Sequence, residues 1–198
     1  MPHDLPDIPV RLWLLPHPHR ERGEPYVRPL LCEALGCSDA DLPLTRGSEG
    51  RPLLGMPYQD FDAGWSHSGD ALLLALGQSI QLGIDIERVR PRPRARELSR
   101  RFFHAEEVRW LEAQTDEALE FSFVRLWCAK EAVLKAHGKG LSFGLDKLVF
   151  AEDAGALRLV ACDPALGAPQ DWRLHEWAPQ PGYRAALAWR PLSPQGLR

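Results

Sequence analysis

Asp85 and Glu87 stand two residues apart in the stretch Gly83-Ile84-Asp85-Ile86-Glu87. On a strand, residues i and i+2 share a face, so both carboxylates point one way and Ile84 and Ile86 the other. Two carboxylates on an apolar strand repel each other and resist burial unless a cation compensates them. Hard oxygen ligands of this kind suit Mg2+, which takes one or two protein carboxylates together with substrate phosphates and waters. The plain alternative is a strand end emerging into solvent with ordinary surface acids. The pair alone leaves both readings open.

A second group lies in Trp127-Cys128-Ala129-Lys130-Glu131-Ala132-Val133-Leu134-Lys135. On a helix Trp127, Glu131 and Lys135 fall at i, i+4 and i+8 and line one face, while Lys130 leans the other way. In the functional reading Glu131 is a third metal ligand and Lys135 a cation facing a phosphate. A Glu four residues ahead of a Lys is equally the favoured orientation of a simple helix salt bridge. A third group, Trp65-Ser66-His67-Ser68-Gly69, precedes an apolar run. Its hydroxyls and imidazole can hold a phosphate by hydrogen bonds, and an ordinary loop histidine is the alternative. No Gly-x-Ser-x-Gly elbow is present, so no serine nucleophile is read. Cys32, Cys37, Cys128 and Cys162 form no Cys-x-x-Cys pair and complete no zinc ligand set, and Cys128 reads as a small packing residue.

The elements that must position these groups follow from periodicity and breakers. Val10–Leu15 reads as a strand, and Pro25 opens a helix over Tyr26–Leu35 that Gly36 closes. Ser38–Gln59, dense in Pro and Gly, reads mostly as loop. Ala71–Leu76 and Leu82–Glu87 around Gly77-Gln78-Ser79 predict a β-hairpin. Helices are expected over Ala105–Gln114 and Glu117–His137, the second ended by Gly138. Leu148–Ala151, Leu157–Ala161, Trp172–Trp177 and Arg184–Trp189 are strand-like. This mixture without regular β-then-α alternation predicts an α+β fold. Trp65 before a turn and ALLLAL is echoed by Trp177 before a turn and RAALAW, which suggests an internal duplication. The arginine-rich stretch Arg88–Arg101 would divide a first lobe, 1–89, from a second, 90–198.

Composition narrows the function classes. The chain has 198 residues, with 24 Lys+Arg against 27 Asp+Glu, so its formal charge of −3 offers no global attraction to nucleic acid or to an anionic membrane. A chain of this size folds without disulfides or structural zinc. The opening MPHDLPDIPV has no basic segment followed by an apolar core, and no apolar run approaches the ~20 residues of a membrane span. The expected setting is the cytoplasm, with reduced thiols.

Taken in order, these motifs carry a resemblance. Ser-His-Ser, then Gly-Ile-Asp-Ile-Glu, then Phe-Phe-x-x-x-Glu, then Trp-x-x-Lys-Glu-Ala-x-x-Lys before Gly-Lys-Gly-Leu, resembles the 4'-phosphopantetheinyl transferases over roughly residues 50–150. The likeness is to the two-lobed, Sfp-type members. It implies two similar α+β lobes related by a pseudo-twofold, with the active site in the cleft between them and a monomeric chain. It implies transfer of the phosphopantetheine arm of coenzyme A to a serine of an apo acyl, peptidyl or aryl carrier protein, with release of 3',5'-ADP. Asp85, Glu87 and Glu131 would hold Mg2+, and Lys135 the pyrophosphate, flanked by Lys130. Ser66 and His67 would contact coenzyme A phosphates, as would Arg51 and Arg28 nearer the nucleotide. Glu107, or Glu106 if the register slips, would be the general base, with Glu131 its rival. The arginine run has a bland reading as a solvated linker and a functional one as a dock for an acidic carrier protein. Two other functions fit the same residues: a Mg2+-dependent nucleotide pyrophosphohydrolase, and a non-catalytic carrier-protein adaptor.

Overall fold

Six apolar residues in a row, Ala71 to Leu76, call for a strand buried on both faces, and that demand organises the molecule. The computed structural model describes residues 2–4, 8–47 and 49–192, so residues 1 and 5–7 of the opening segment read for a leader lie outside the described residues. The strands are β1 (Pro2–Asp4), β2 (Val10–Pro16), β3 (Leu44–Arg46), β4 (Pro52–Leu54), β5 (Phe61–Ser68), β6 (Ala71–Gln78), β7 (Ile80–Arg88), β8 (Leu148–Asp153), β9 (Ala156–Cys162), β10 (Arg173–Trp177) and β11 (Tyr183–Pro191). The α-helices are α1 (Glu24–Leu35), α2 (Ala95–Phe102), α3 (Ala105–Glu112) and α4 (Asp116–His137). The fold is α+β, as expected. No described helix is long and apolar enough to cross a membrane.

Two sheets carry the architecture, in the orders β1-β2-β6-β5 and β10-β11-β7, all pairs antiparallel. Leu72, Leu74 and Leu76 of β6 join Val27 and Leu31 of α1 in one core, while Leu73 and Ala75 meet Leu82, Ile84 and Ile86 of β7 in another. The period of two thus divides one apolar run between two cores. The second sheet repeats the plan, with Ala186 and Ala188 of β11 packed beneath Ala132 and Ala136 of α4. Strand order repeats as well: β2-β6-β5 and β7-β11-β10, with α1 after β2 and α4 after β7. The Trp65 and Trp177 echo therefore marks equivalent hairpins, β5–β6 and β10–β11.

One expectation needs correction. The predicted hairpin of Ala71–Leu76 with Leu82–Glu87 does not form, because β2 and β5 already occupy both edges of β6. Ser79 alone links β6 to β7, at φ 58, and passes the chain to the other sheet. Strand pairing accordingly places β7 with β10 and β11. Ser38–Gln59 is mostly loop, as expected, with β3 and β4 paired within it, Leu44 opposite Leu54.

Candidate active site

The odd positions of β7, Gly83, Asp85 and Glu87, turn from the inter-sheet core towards α4. Gly83 makes the approach possible. A Cβ there would overlap the backbone at Ala132 O and Ala136 N. Helix α4 therefore lies directly on β7, and its Glu131 and Lys135 reach the acids of that strand.

Asp85 is 4% exposed. Its Oδ1 accepts from Ser66 Oγ at 2.7 Å and from Lys135 Nζ at 2.6 Å, and its Oδ2 is buried without a hydrogen-bond partner. Glu87 accepts from Ser68 Oγ at 3.1 Å and from the Arg92 guanidinium at 2.7 Å. Ser66 and Ser68 sit on β5, which runs alongside β7 in the same direction. These two strands are joined by side chains, with Leu82 N also donating to Asp62 Oδ2 at 2.7 Å. His67 is on this strand, not in the loop expected for it. Burial, then the neighbouring His17 and Lys135, pull the His67 imidazole below its ordinary value.

Glu131 is buried with no hydrogen bond from the described residues to its carboxylate, and its pKa is pushed up to about 7. Burial is the main cause; Lys135 opposes it, and the charges of Asp85 and Glu87 add to it. Burial disfavours the charged Lys135, but Asp85 and Glu131 more than reverse this, and its pKa is raised. Trp127, Glu131 and Lys135 do share one helix face. Together with Asp85, Glu87, Ser66 and His67 they line one cleft of about 790 Å3. The far wall brings Arg22, Gly23 and Glu24 from the start of α1, and Arg46, whose guanidinium lies 4.5 Å over the Trp65 ring.

Among the described residues, no three His, Cys, Asp or Glu side chains are gathered closely enough to hold a metal ion. The chemistry of the set still fits a divalent cation. An orphaned Asp85 oxygen and an unpaired Glu131 beside Glu87 make a buried acid cluster short of positive charge, and two cations of the chain cover only part of it.

Comparison with known proteins decides the family. The model of the 4'-phosphopantetheinyl transferase superfamily matches residues 81–188. The putative 4'-phosphopantetheinyl transferase of Synechocystis is 32% identical over 95% of this chain and 84% of its own length. The 4'-phosphopantetheinyl transferase HetI of Nostoc is 33% identical over 87% of this chain and 74% of its own. A relative from Bacillus pumilus, 4'-phosphopantetheinyl transferase psf-1, is 34% identical over 69% of this chain and 58% of its own length. The chain belongs to the 4'-phosphopantetheinyl transferase superfamily. It is an enzyme of that family, and coenzyme A and carrier proteins are the family's substrates.

Of the residues expected in the transferase site, Glu107, Lys130 and Arg28 lie away from the cleft, and Arg51 borders it. Glu107, 1% exposed, and Lys130, 0% exposed, form an ion pair at 2.6 Å inside the second core. Lys130 Nζ also donates to Leu145 O at 2.8 Å and Leu148 O at 2.5 Å, which uses all three of its protons. Glu107 accepts from Phe150 N at 2.8 Å and from His104 N at 3.1 Å, the latter as a helix cap of α3. Burial pulls Lys130 down to about 8 and pushes Glu107 up, each offset by the other. Neither lines the cleft; Glu106 is exposed at the start of α3 and is also outside it. Arg28 pairs with Asp39 at 2.5 Å on the outer side of α1. Arg51 donates to the carbonyls of Lys135 and Ala136 and pairs with Asp62, so it clamps the end of α4 to β5 beside the cleft.

Sequence reasoning missed Arg46, and missed Arg92 as a partner of Glu87. An arginine within a Pro/Gly-rich segment was the available signal for Arg46. Nothing in the sequence distinguishes Arg92 from its neighbours in the arginine run.

Proposed function

We propose that this transferase moves the phosphopantetheine arm of coenzyme A onto a carrier-protein serine in the cleft between its two sheets, releasing 3',5'-ADP. The reading rests on the convergence of Asp85, Glu87, Glu131 and Lys135 from separate segments on one cleft. The serine oxygen forms a bond to the pantetheine-side phosphorus, the bond from that phosphorus to the bridging oxygen breaks, and the serine proton must be accepted. Asp85, Glu87 and Glu131 would hold Mg2+, which neutralises charge growing on the leaving diphosphate oxygen. Lys135 donates to the same diphosphate. Ser66 and His67 donate to it as hydrogen-bonding groups, and Arg22 and Arg46 supply positive charge on the opposite wall.

With Glu107 sealed in the core, Glu131 is the acid of the cleft that takes the serine proton, directly or through water. The chain acts as a monomer in the cytoplasm, both halves of the repeat contributing to one site.

The exposed part of the arginine segment receives the carrier protein. Arg92, Arg94, Arg96 and Arg100 already have carboxylate partners in Glu87, Glu97, Asp116 and Glu112. Arg90 has none among the described residues and is left to meet an acidic surface.

Incubation with coenzyme A, Mg2+ and a panel of apo carrier proteins, read by intact mass, tests the reaction. Addition of one phosphopantetheine to a carrier protein is expected. Free phosphopantetheine with no gain on any carrier would make the chain a hydrolase, and no turnover of coenzyme A would make it an adaptor.

A further inference from the structure

The acids of the cleft are covered by the protein's own cations. Lys135 Nζ sits on Asp85 Oδ1 at 2.6 Å and on Ser66 Oγ at 3.0 Å, and Arg92 sits on Glu87 at 2.7 Å. The ammonium of Lys135 occupies the bonded side of Asp85 while the other oxygen of that carboxylate is buried without a partner. Two positive charges of the chain therefore stand among three acids, and Lys135 is the one seated on Asp85.

We infer that Lys135 is the resident counter-cation of this acid cluster and must leave Asp85 before a divalent cation can be held there. The inference rests on the cation reading of the cleft given above. A doubly charged ion and an ammonium on the same carboxylate repel each other strongly in a partly buried site. The substrate diphosphate resolves the conflict, because it offers the ammonium new oxygen acceptors one side-chain swing away. Divalent cation and coenzyme A then bind with mutual help, and each alone meets a site that Lys135 keeps partly closed. Such coupling is reciprocal: whatever coenzyme A adds to cation affinity, the cation adds to coenzyme A affinity.

Direct Mn2+ binding, followed by the electron paramagnetic resonance signal of the free ion, tests this without reference to turnover. In the absence of coenzyme A, Lys135→Met should bind Mn2+ roughly tenfold more tightly than the wild type, because the competing charge is gone. Adding Asp85→Asn to that variant should erase the gain. Coenzyme A should strengthen Mn2+ binding to the wild type more than to Lys135→Met. Equal Mn2+ affinity of wild type and Lys135→Met would overturn the counter-cation role and leave the cation site standing. No Mn2+ uptake by either chain, with or without coenzyme A, would overturn the cation site as well.

Should Lys135→Met fail to fold, the wild-type chain carries the test. Mg2+ alone should raise acetylation of Lys135 relative to the other lysines, read by peptide mass, as the ammonium is driven off Asp85. Labelling of Lys135 unchanged by Mg2+ would count against the inference.

Discussion

Glu131 binds its proton more tightly in the folded chain than in the unfolded one, with a value of about 7 against an ordinary 4.5. The stability that such a raised acid contributes is fully present below the unfolded value and is lost as pH rises through the folded one. Glu131→Gln removes an ionised group that the ligand-free fold accommodates poorly. Urea melts should show the variant more stable than the wild type by on the order of 1–3 kcal/mol near pH 8, with no gain near pH 4. The same change should lower kcat by several orders of magnitude. An inactive variant that is also less stable near pH 8 would mean that Glu131 is structural. The buried Glu107–Lys130 pair predicts the opposite pattern. Lys130→Met strands a carboxylate in the core and should cost about 3–5 kcal/mol in thermal or urea unfolding. Adding Glu107→Leu should restore most of that loss and leave kcat within a few-fold of wild type. A stable but inactive double variant would return the pair to the chemistry.

At the scale of elements, the site depends on how closely α4 lies on β7. Gly83→Ala puts a methyl group into the backbone of α4 and should cost about 3 kcal/mol or more, whereas Gly64→Ala, whose Cβ would meet Leu82 at an ordinary 3.4 Å, should cost less than about 1.5 kcal/mol. Denaturant melts of the two glycine variants make the comparison; equal losses would show that the helix is free to shift. The strand pair Asp85 and Glu87 was legible because alternation is a property of the strand itself, and the Trp127, Glu131 and Lys135 face because helix spacing is equally local. The fate of Lys130 was not legible. Helix α4 is buried on nearly every side from Cys128 to Leu134, so periodicity cannot say which of two adjacent charged residues meets the cleft and which meets the core. The hairpin expected from Ala71 to Glu87 failed for a related reason, since an apolar run announces that a strand is buried but not which strands will flank it.

Across the whole molecule, Arg51 ties the first half to the second by binding the end of α4, where helix carbonyls concentrate negative charge. Arg51→Ala should cost about 1–3 kcal/mol of stability by thermal or urea unfolding and should raise KM for coenzyme A through a looser cleft. The carrier protein should sense a different face. Arg90→Glu should raise KM for an acidic carrier several-fold and spare KM for coenzyme A, because it changes a rim charge outside the cleft. Unchanged carrier kinetics would remove the docking role. The duplicated plan was visible in the Trp65 and Trp177 hairpins, but the passage of the chain from β6 to the other sheet was not, since a single serine between two strands reads as a hairpin turn. A crystal soaked with coenzyme A and Mn2+, measured for anomalous scattering at the manganese edge, puts the assembly of the site to its most direct test. One peak bonded by oxygens of Asp85, Glu87 and Glu131, with Lys135 Nζ moved from Asp85 to the diphosphate, is the predicted result. A peak held by other residues, or bound diphosphate with Lys135 still on Asp85, would contradict it.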